Sequence, residues 1–268
     1  MNPRLAKLDL KEHLHHKDRK QTYVNRMFAT IAPRYDRVTV WLSFGMDRKW
    51  KRQLVEMAAI QPDFQILDMA CGTGDIAFLM AERLKGGRVT GVDLVPEMLA
   101  IARSRCRAPL QEKILFEQGD IQQLPYPDRS FERITVGYGV RNVPDIPRLL
   151  AEVYRLLSPG GQFLSLDFGK PDHRLYRRAY LAYLTIVGST FGWLLHRDPD
   201  VYRYIPESLK LYPGQRGVRD LMSAAGFVET GIVNFLSGAI AINYGSKPAA
   251  QDGGAEARKE DRSWQSRG

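Results

Sequence analysis

Four residues between positions 68 and 93 have the types and spacing of a nucleoside-cofactor site. The segment ILDMACGTGD carries Asp68 at the end of a short apolar run and enters a turn with Gly72 and Gly74, and Asp93 closes the next apolar run, RVTGVD. Glycine permits positive φ and close approach of the backbone to a ligand, and the helix expected next would point its amide groups at that ligand. An acid about 20 residues past such a turn is placed to bind a ribose diol.

Two cofactors fit this pattern. Gly72, Gly74 and Ala77 formally satisfy the G-x-G-x-x-G/A pattern of nicotinamide dinucleotide sites. Asp68 instead favours S-adenosylmethionine, because a carboxylate there can meet the cationic amino acid end of that cofactor, directly or through water, whereas an anionic pyrophosphate gains nothing from it. A purely structural interpretation is also open at this point, in which Asp68 caps the next helix and the glycines form a tight turn.

A third acid adds context to the first two. Asp120 ends the segment ILFEQGD, and a polar loop marked by prolines leads from it into another apolar run. This succession resembles the class I methyltransferases, which implies that Asp120 reaches the adenine amino group and that Ile121 packs near the base. On composition alone, Asp120 is equally a solvated turn residue after a glycine. The combined pattern favours S-adenosylmethionine, with Thr73 and Asp93 as the direct contacts.

The elements that must position these residues alternate along the chain. Apolar runs typical of strands lie at 66–70, 88–93, 114–118, 132–138 and 161–168, and helical patterns lie between them at 75–84, 96–106 and 145–157. This alternation predicts an α/β fold with a Rossmann-like, doubly wound, mostly parallel sheet. Two final apolar runs predict a C-terminal antiparallel hairpin. Before the sheet we expect helices over 23–35 and 47–59, and after it a short helix over 217–225.

We expect a single domain over residues 23–247, with an insertion at 172–214 that covers the substrate. Residues 1–22 form a polar, basic leader without the apolar stretch of a signal peptide, which predicts a cytoplasmic protein. Its histidines, His13, His15 and His16, are interpreted as solvated, so no metal site is predicted. Residues 248–268 carry little apolar content and are expected to be disordered.

The net charge of +9 in a chain of 268 residues is compatible with nucleic acid or an anionic membrane surface as a partner. The basic residues are spread along the chain and no RNA-binding signature is present, so we predict no nucleic acid partner. Residues 179–195 carry no charge and have arginines on both sides. This stretch is short for a transmembrane helix, which needs about 20 residues. It favours a helix that covers the site, and a surface resting on a membrane interface is compatible with that role.

The loop VGYGVRNVPD follows the fourth predicted strand, where a substrate meets the cofactor in an open sheet. Gly137 and Gly139 let the backbone approach the methyl donor, and Arg141 and Asn142 place a cation and an amide beside it. The alternative is structural, with Arg141 paired to a nearby acid and Asn142 capping the helix that begins near Pro144.

Six segments carry a more specific resemblance: FATIAPRYDRVTVWLSFGMDRKWKR, LDMACGTGD, VGYGVRNVPD, DFGKP, YRYIPESLKLYPGQ and INYGSKP. Together they are similar to the C-methyltransferases that act late in menaquinone and ubiquinone biosynthesis, over roughly residues 23–248. Two departures are visible: Gly137 stands where a serine is frequent in that family, and DFGKP replaces EFSKP.

The resemblance implies methyl transfer from S-adenosylmethionine to a ring carbon of a polyprenylated quinol. Arginine is not a base at physiological pH, so Arg141 is expected to hold a phenolate or polarise a water, and Asn142 to orient the hydroxyl. Tyr35 resembles a family tyrosine near the active site. Tyr204 and Tyr212 fall in the segment on the substrate side, and core packing is an equal alternative for both.

Demethylmenaquinol is the preferred acceptor, because the APRYD region is more like the menaquinone members. The alternatives are the equivalent benzoquinol of ubiquinone biosynthesis and another small lipid-like substrate. Such a substrate is located in the lipid bilayer, so we expect the protein to make peripheral contact with the inner face of the cell membrane. The resemblance is also compatible with a homodimer.

Overall fold

The computed structural model describes residues 17–198 and 200–250. They form a seven-stranded sheet in the order β3-β2-β1-β4-β5-β7-β6. The strands β1 to β5 are parallel, and β7 runs antiparallel to both β5 and β6. Their bounds are Gln65–Met69 (β1), Arg88–Asp93 (β2), Ile114–Gln118 (β3), Phe131–Gly137 (β4), Leu157–Phe168 (β5), Val228–Phe235 (β6) and Ile240–Ser246 (β7). The predicted doubly wound sheet with a C-terminal hairpin is confirmed.

The central strand β1 shows why these sequences form a buried parallel sheet. Ile66 and Leu67 are both fully buried, although they point to opposite faces. Ile66 packs in the hydrophobic cluster that contains Met80, whereas Leu67 packs in the cluster that contains Leu149. A strand covered by helices on both faces needs apolar residues at successive positions, which is the pattern of QILDM.

The described residues contain nine α-helices. Their bounds are α1 Lys17–Ile31, α2 Tyr35–Leu42, α3 Asp47–Met57, α4 Asp75–Ala81, α5 Pro96–Arg105, α6 Ile146–Leu156, α7 Arg174–His196, α8 Asp200–Leu211 and α9 Gly214–Ala224. The N-terminal prediction needs correction, because α1 begins at Lys17 and residues 17–22 of the expected leader are helical. The helix also ends at Ile31 instead of residue 35, because Pro33 interrupts the α-helical pattern and the chain forms a 3₁₀ turn over Ala32–Arg34.

The helices α7 and α8 occupy most of the predicted insertion and pack against each other. Gly188 makes this packing close, because a Cβ at that position would lie 3.1 Å from the Tyr202 carbonyl oxygen. Tyr202 and Tyr204 from α8 then join Tyr23 and Met27 from α1 in a third hydrophobic cluster. Within the two described ranges, none of the helices combines the length and the apolar character needed to cross a membrane.

Other boundaries shift by a few residues. The helix α4 stops at Ala81 and not at 84, and β1 and β4 each lie one residue earlier than predicted. The strand β5 begins at Leu157, four residues before the predicted start at 161, so it includes the SPGG segment at 158–161. The leader histidines and residues 251–268 of the expected tail lie outside the described residues.

Candidate active site

The glycine turn between β1 and α4 has the predicted left-handed geometry. Gly72 has φ +55° and Gly74, the N-cap of α4, has φ +90°. The turn is held from β2, because Asp93 Oδ2 accepts a hydrogen bond from the Gly72 amide at 2.8 Å and Oδ1 accepts one from the Val95 amide at 2.9 Å. Each carboxylate oxygen keeps a further lone pair for a ribose hydroxyl. Burial raises the pKa of Asp93.

Asp68, at the carboxyl end of β1, has one satisfied and one unsatisfied oxygen. Oδ1 accepts a hydrogen bond from the Thr135 hydroxyl at 2.7 Å, whereas Oδ2 is buried and has no hydrogen-bond partner. Burial raises the pKa of Asp68 to about 7. A buried acceptor left without a donor is costly unless a ligand supplies one. The residues present therefore fit S-adenosylmethionine, whose ammonium group would provide the missing donor.

The other predicted cofactor residues surround two adjoining clefts. One is lined by Asp93, Asp120, Ile121 and Gly137, and the other by Asp68, Thr73 and Gly137, with Gly72 common to both. A Cβ at Gly137 would lie 2.4 Å from Ile76 Cδ1, so a larger residue at this position would require the end of the Ile76 side chain to move. Asp120 is exposed and Ile121 is buried, as a solvent-side acid and a base-packing residue would be. The Thr73 hydroxyl donates a hydrogen bond to Asp36 at 2.6 Å, so it has a protein partner as well.

A separate apolar cavity of about 350 Å³ opens beside these clefts. Among the residues that line it, Arg141 carries the charge. The guanidinium is 5% exposed, and its Nη1 donates to Asp167 Oδ1 at 2.6 Å and to the Tyr138 carbonyl oxygen at 2.9 Å. Its Nε is buried without a partner. The Arg141 cation also lies 4.7 Å from the centre of the Phe168 ring.

The two interpretations of Arg141 are therefore compatible, because the residue both pairs with an acid and lines the cavity. The alternative for Asn142 is wrong, because α6 is capped by Asp145, which accepts a hydrogen bond from the Arg148 amide. Asn142 instead donates from Nδ2 to the Tyr138 carbonyl oxygen and accepts the Tyr204 hydroxyl at Oδ1, both at 2.9 Å. These bonds fix the amide side chain at the edge of a cofactor cleft.

Tyr35 and Tyr138 lie where the spaces meet, since each lines the apolar cavity and both cofactor clefts. This is the expected place for a residue between methyl donor and acceptor. Desolvation raises the pKa of Tyr35 to about 12, so its hydroxyl stays protonated at neutral pH and can act as a hydrogen-bond donor.

The structure separates the two tyrosines predicted on the substrate side. Tyr204 lines the apolar cavity and bonds Asn142. Tyr212 instead packs in a hydrophobic cluster with Leu209 and Val218, and it lines neither the apolar cavity nor either of the two cofactor clefts. For Tyr212 the core-packing alternative agrees with this position.

Sequence analysis missed a group of charged and polar residues beside the cofactor turn. The Lys51 ammonium lies 2.6 Å from Asp47 Oδ2 and 2.9 Å from Asp75 Oδ2, and the Tyr138 hydroxyl donates to Asp47 Oδ1 at 2.7 Å. The spacing of Asp47 and Lys51, four residues apart on a helix, is a signal for their pairing. The contacts with Asp75 and Tyr138 depend on the tertiary fold and have no such local signal.

Three features define a class I S-adenosylmethionine-dependent methyltransferase: a buried acid with an unpartnered oxygen near the end of β1, a glycine turn held by the acid that ends β2, and a parallel sheet closed by an antiparallel hairpin. The fold agrees with the crystal structure of a SAM-dependent methyltransferase from Thermotoga maritima, with a TM-score of 0.57 and 21% identity over 82% of this chain and 99% of that one. This likeness confirms the predicted fold, and the match to a methyltransferase family confirms the predicted enzyme class and methyl donor.

The chain belongs to the ubiE/COQ5 methyltransferase family, whose model matches residues 16–247. It is 40% identical to the demethylmenaquinone methyltransferase of Thermus thermophilus over 223 residues, which are 83% of this chain and 100% of the relative. It is 35% identical to the ubiquinone/menaquinone biosynthesis C-methyltransferase UbiE of Shewanella frigidimarina, over 86% of this chain and 92% of that one. The family resemblance drawn from the six sequence segments is confirmed.

Proposed function

We propose that this methyltransferase converts a polyprenylated demethylmenaquinol to menaquinol in menaquinone biosynthesis. The observation that carries the proposal is the buried Arg141 guanidinium, which has an Nε–H without a protein partner and belongs to a residue that lines an apolar cavity adjoining the cofactor clefts. An apolar cavity with one fixed cation suits a flat aromatic ring that carries a developing oxyanion.

Arg141 acts on the acceptor in this mechanism. A ring carbon of a quinol becomes nucleophilic when the neighbouring hydroxyl loses its proton and the charge spreads into the ring. Arg141 stabilises that oxyanion, and Asp167 holds the guanidinium in place through both Nη1 and the backbone amide. When bound, S-adenosylmethionine supplies the electrophilic methyl group.

The remaining predicted residues orient the ring. Tyr204 lines the apolar cavity and fixes the Asn142 side chain at the edge of a cofactor cleft, where the second amide N–H of Asn142 would orient the acceptor hydroxyl. Tyr35 is protonated at neutral pH, so its hydroxyl can donate a hydrogen bond at a position between the methyl acceptor and the methyl donor. These contacts restrict the ring to the one approach that brings its reacting carbon towards the methyl group.

The choice of demethylmenaquinol over the benzoquinol of ubiquinone biosynthesis is supported by relatives that are named demethylmenaquinone methyltransferase. Purified enzyme should transfer labelled methyl from S-adenosylmethionine to demethylmenaquinol and only slowly to the demethylated benzoquinol. The reverse preference would overturn this choice. In a deletion strain, accumulated demethylmenaquinone would name the same substrate independently.

We also propose that the mouth of the cavity rests on an anionic lipid surface. Phe44, which is 78% exposed, and Leu236, which is 47% exposed, line the cavity at its outer side together with the exposed Tyr176. The N-terminal end of α7 adds positive charge through Arg174, Arg177 and Arg178, which flank Tyr176 in the sequence. An exposed apolar rim with basic neighbours suits binding of a bilayer interface, where the isoprenoid tail of the acceptor resides. The homodimer stays a prediction, and light scattering of the full chain would test it.

A further inference from the structure

The small cleft beside the glycine turn contains a buried cation as well as the buried acid. Lys51, on α3, is 6% exposed and lines this cleft together with Asp68, Gly72 and Thr73. Burying an ammonium group is costly unless acidic or other hydrogen-bonding partners compensate its charge. The glycine turn does not account for Lys51.

Lys51 stays charged in this position and retains a donor. Its ammonium contacts Asp47 Oδ2 at 2.6 Å and Asp75 Oδ2 at 2.9 Å, and these two acids raise the pKa of Lys51 despite its burial. Both acids are also engaged elsewhere, Asp47 by the Tyr138 hydroxyl and Asp75 by Arg105. An ammonium group has three N–H donors, and these contacts occupy two of them.

The charges of the cleft match those of a free α-amino acid group. Asp68 offers an oxygen without a partner, which suits an ammonium group, and Lys51 offers an N–H, which suits a carboxylate. The two side chains are close enough that the Lys51 charge favours the ionised form of Asp68. The methionyl end of S-adenosylmethionine carries this pair of opposite charges on a single carbon.

We propose that Lys51 binds the carboxylate of S-adenosylmethionine, while Asp68 binds its ammonium group. Lys51 is thus a cofactor-binding residue, held in place by Asp47 and Asp75. The inference rests on the S-adenosylmethionine dependence of the enzyme and is independent of the identity of the acceptor.

Decarboxylated S-adenosylmethionine tests this directly, because it differs from the cofactor only by the carboxylate. Calorimetry on the full wild-type chain without acceptor should show that S-adenosylmethionine binds about 10- to 100-fold more tightly than the decarboxylated compound, as expected for a charge-assisted contact. In Lys51→Met this preference should disappear, through weaker binding of S-adenosylmethionine alone. Lys49→Met, on the exposed face of the same helix, is the matched control and should keep the preference.

Because Lys51→Met leaves two acids without their cation, the double variant Lys51→Met, Asp47→Asn provides a second test with less stranded charge. It should lose the preference as well. Equal affinity of the wild type for both compounds would overturn the inference, and so would an equal loss for both compounds in a folded variant, which would mark Lys51 as purely structural. Failure to methylate demethylmenaquinol would sink the proposed acceptor and leave these binding results unaffected.

Discussion

Arg141 pairs with Asp167 inside the protein, and in the proposed mechanism its guanidinium also stabilises the acceptor oxyanion in the cavity that Arg141 lines. Arg141→Lys keeps a charge for Asp167 but removes the planar fork, so a fixed donor at the oxyanion is lost. We expect kcat to fall by about 100-fold while the Kd for S-adenosylmethionine changes by less than about twofold. Stopped assays with labelled cofactor and calorimetry would measure the two effects.

Arg155→Lys is the control for that experiment, because Arg155 also pairs with acids but lies on α6 away from the cavity. It should leave kcat unchanged. Lost cofactor binding in a folded Arg141→Lys enzyme would contradict the role of Arg141 as an acceptor-side residue.

The raised pKa of Asp68 makes binding of the cofactor dependent on pH. Burial raises its pKa to about 7 in the free enzyme, and a bound ammonium group would lower it again. Binding of S-adenosylmethionine below about pH 7 must therefore release a proton, so affinity should rise with pH up to about 7 and level off until the cofactor's own ammonium group deprotonates.

Calorimetry near pH 6 in buffers of different ionisation enthalpy would count the released proton, since the pKa of Asp68 lies at about 7. Asp68→Asn should bind more weakly and release no proton. Affinity that does not change between about pH 5 and pH 7 would exclude Asp68 as the ammonium-binding residue, given its pKa of about 7.

At the scale of elements, the N-terminal helices form a strap across the site, defined here as residues 17–42. Lys20 donates to the carbonyl oxygens of Arg141 and Val143 at 2.9 and 2.8 Å, which attaches α1 to the turn that carries Arg141 and Asn142. Asp36 accepts the Thr73 hydroxyl and pairs with Arg105 at 2.9 Å, which attaches α2 to the cofactor turn. The strap thus brings Tyr35 to the junction of the cavity and clefts.

Asp36→Ala should loosen the strap at the cofactor turn. It removes one hydrogen bond and one half-exposed ion pair, so we expect a 3- to 10-fold weaker Kd for S-adenosylmethionine, on the order of one kcal/mol. Amide hydrogen exchange in α2 should become faster. Asp172→Ala, which breaks an exposed pair with Arg216, should change neither quantity, and unchanged exchange in Asp36→Ala would argue against the attachment.

The strap also shows where prediction from sequence stops. Asp68, Gly72, Gly74 and Asp93 could be assigned because they lie within one strand-turn-helix unit and the next strand, where local rules determine position. The partners of Lys20 and Asp36 are separated from them by 121 and 37 residues. Such contacts depend on how the helices pack over the sheet, and no periodicity in the strap encodes them.

In the whole molecule, the burial of each residue distinguishes between roles that composition alone could not separate. The uncharged 179–195 segment was assigned to a covering helix, and α7 does cover the cavity through Tyr180 and Leu184 while exposing Ile186, Trp193 and Leu194. Tyr204 and Tyr212 have the same residue type and sit eight positions apart on or beside α8, yet only Tyr204 reaches the cavity. Their difference comes from the packing of α8 against α7 and the core.

The exposed rim of the cavity is the surface that we expect to contact anionic lipid. Phe44→Ser removes the most exposed large apolar side chain of the rim, so anionic vesicles should bind the protein about tenfold more weakly. The KM for a long-tailed quinol presented in those vesicles should rise, whereas the KM for a short-tailed, water-soluble analogue should not, because the reacting ring still enters the same cavity. Leu115→Ser, at an exposed apolar position on β3 that does not line the cavity, should leave vesicle binding intact. Equal vesicle binding by wild type and Phe44→Ser would place the membrane contact, if the protein makes one, on another face.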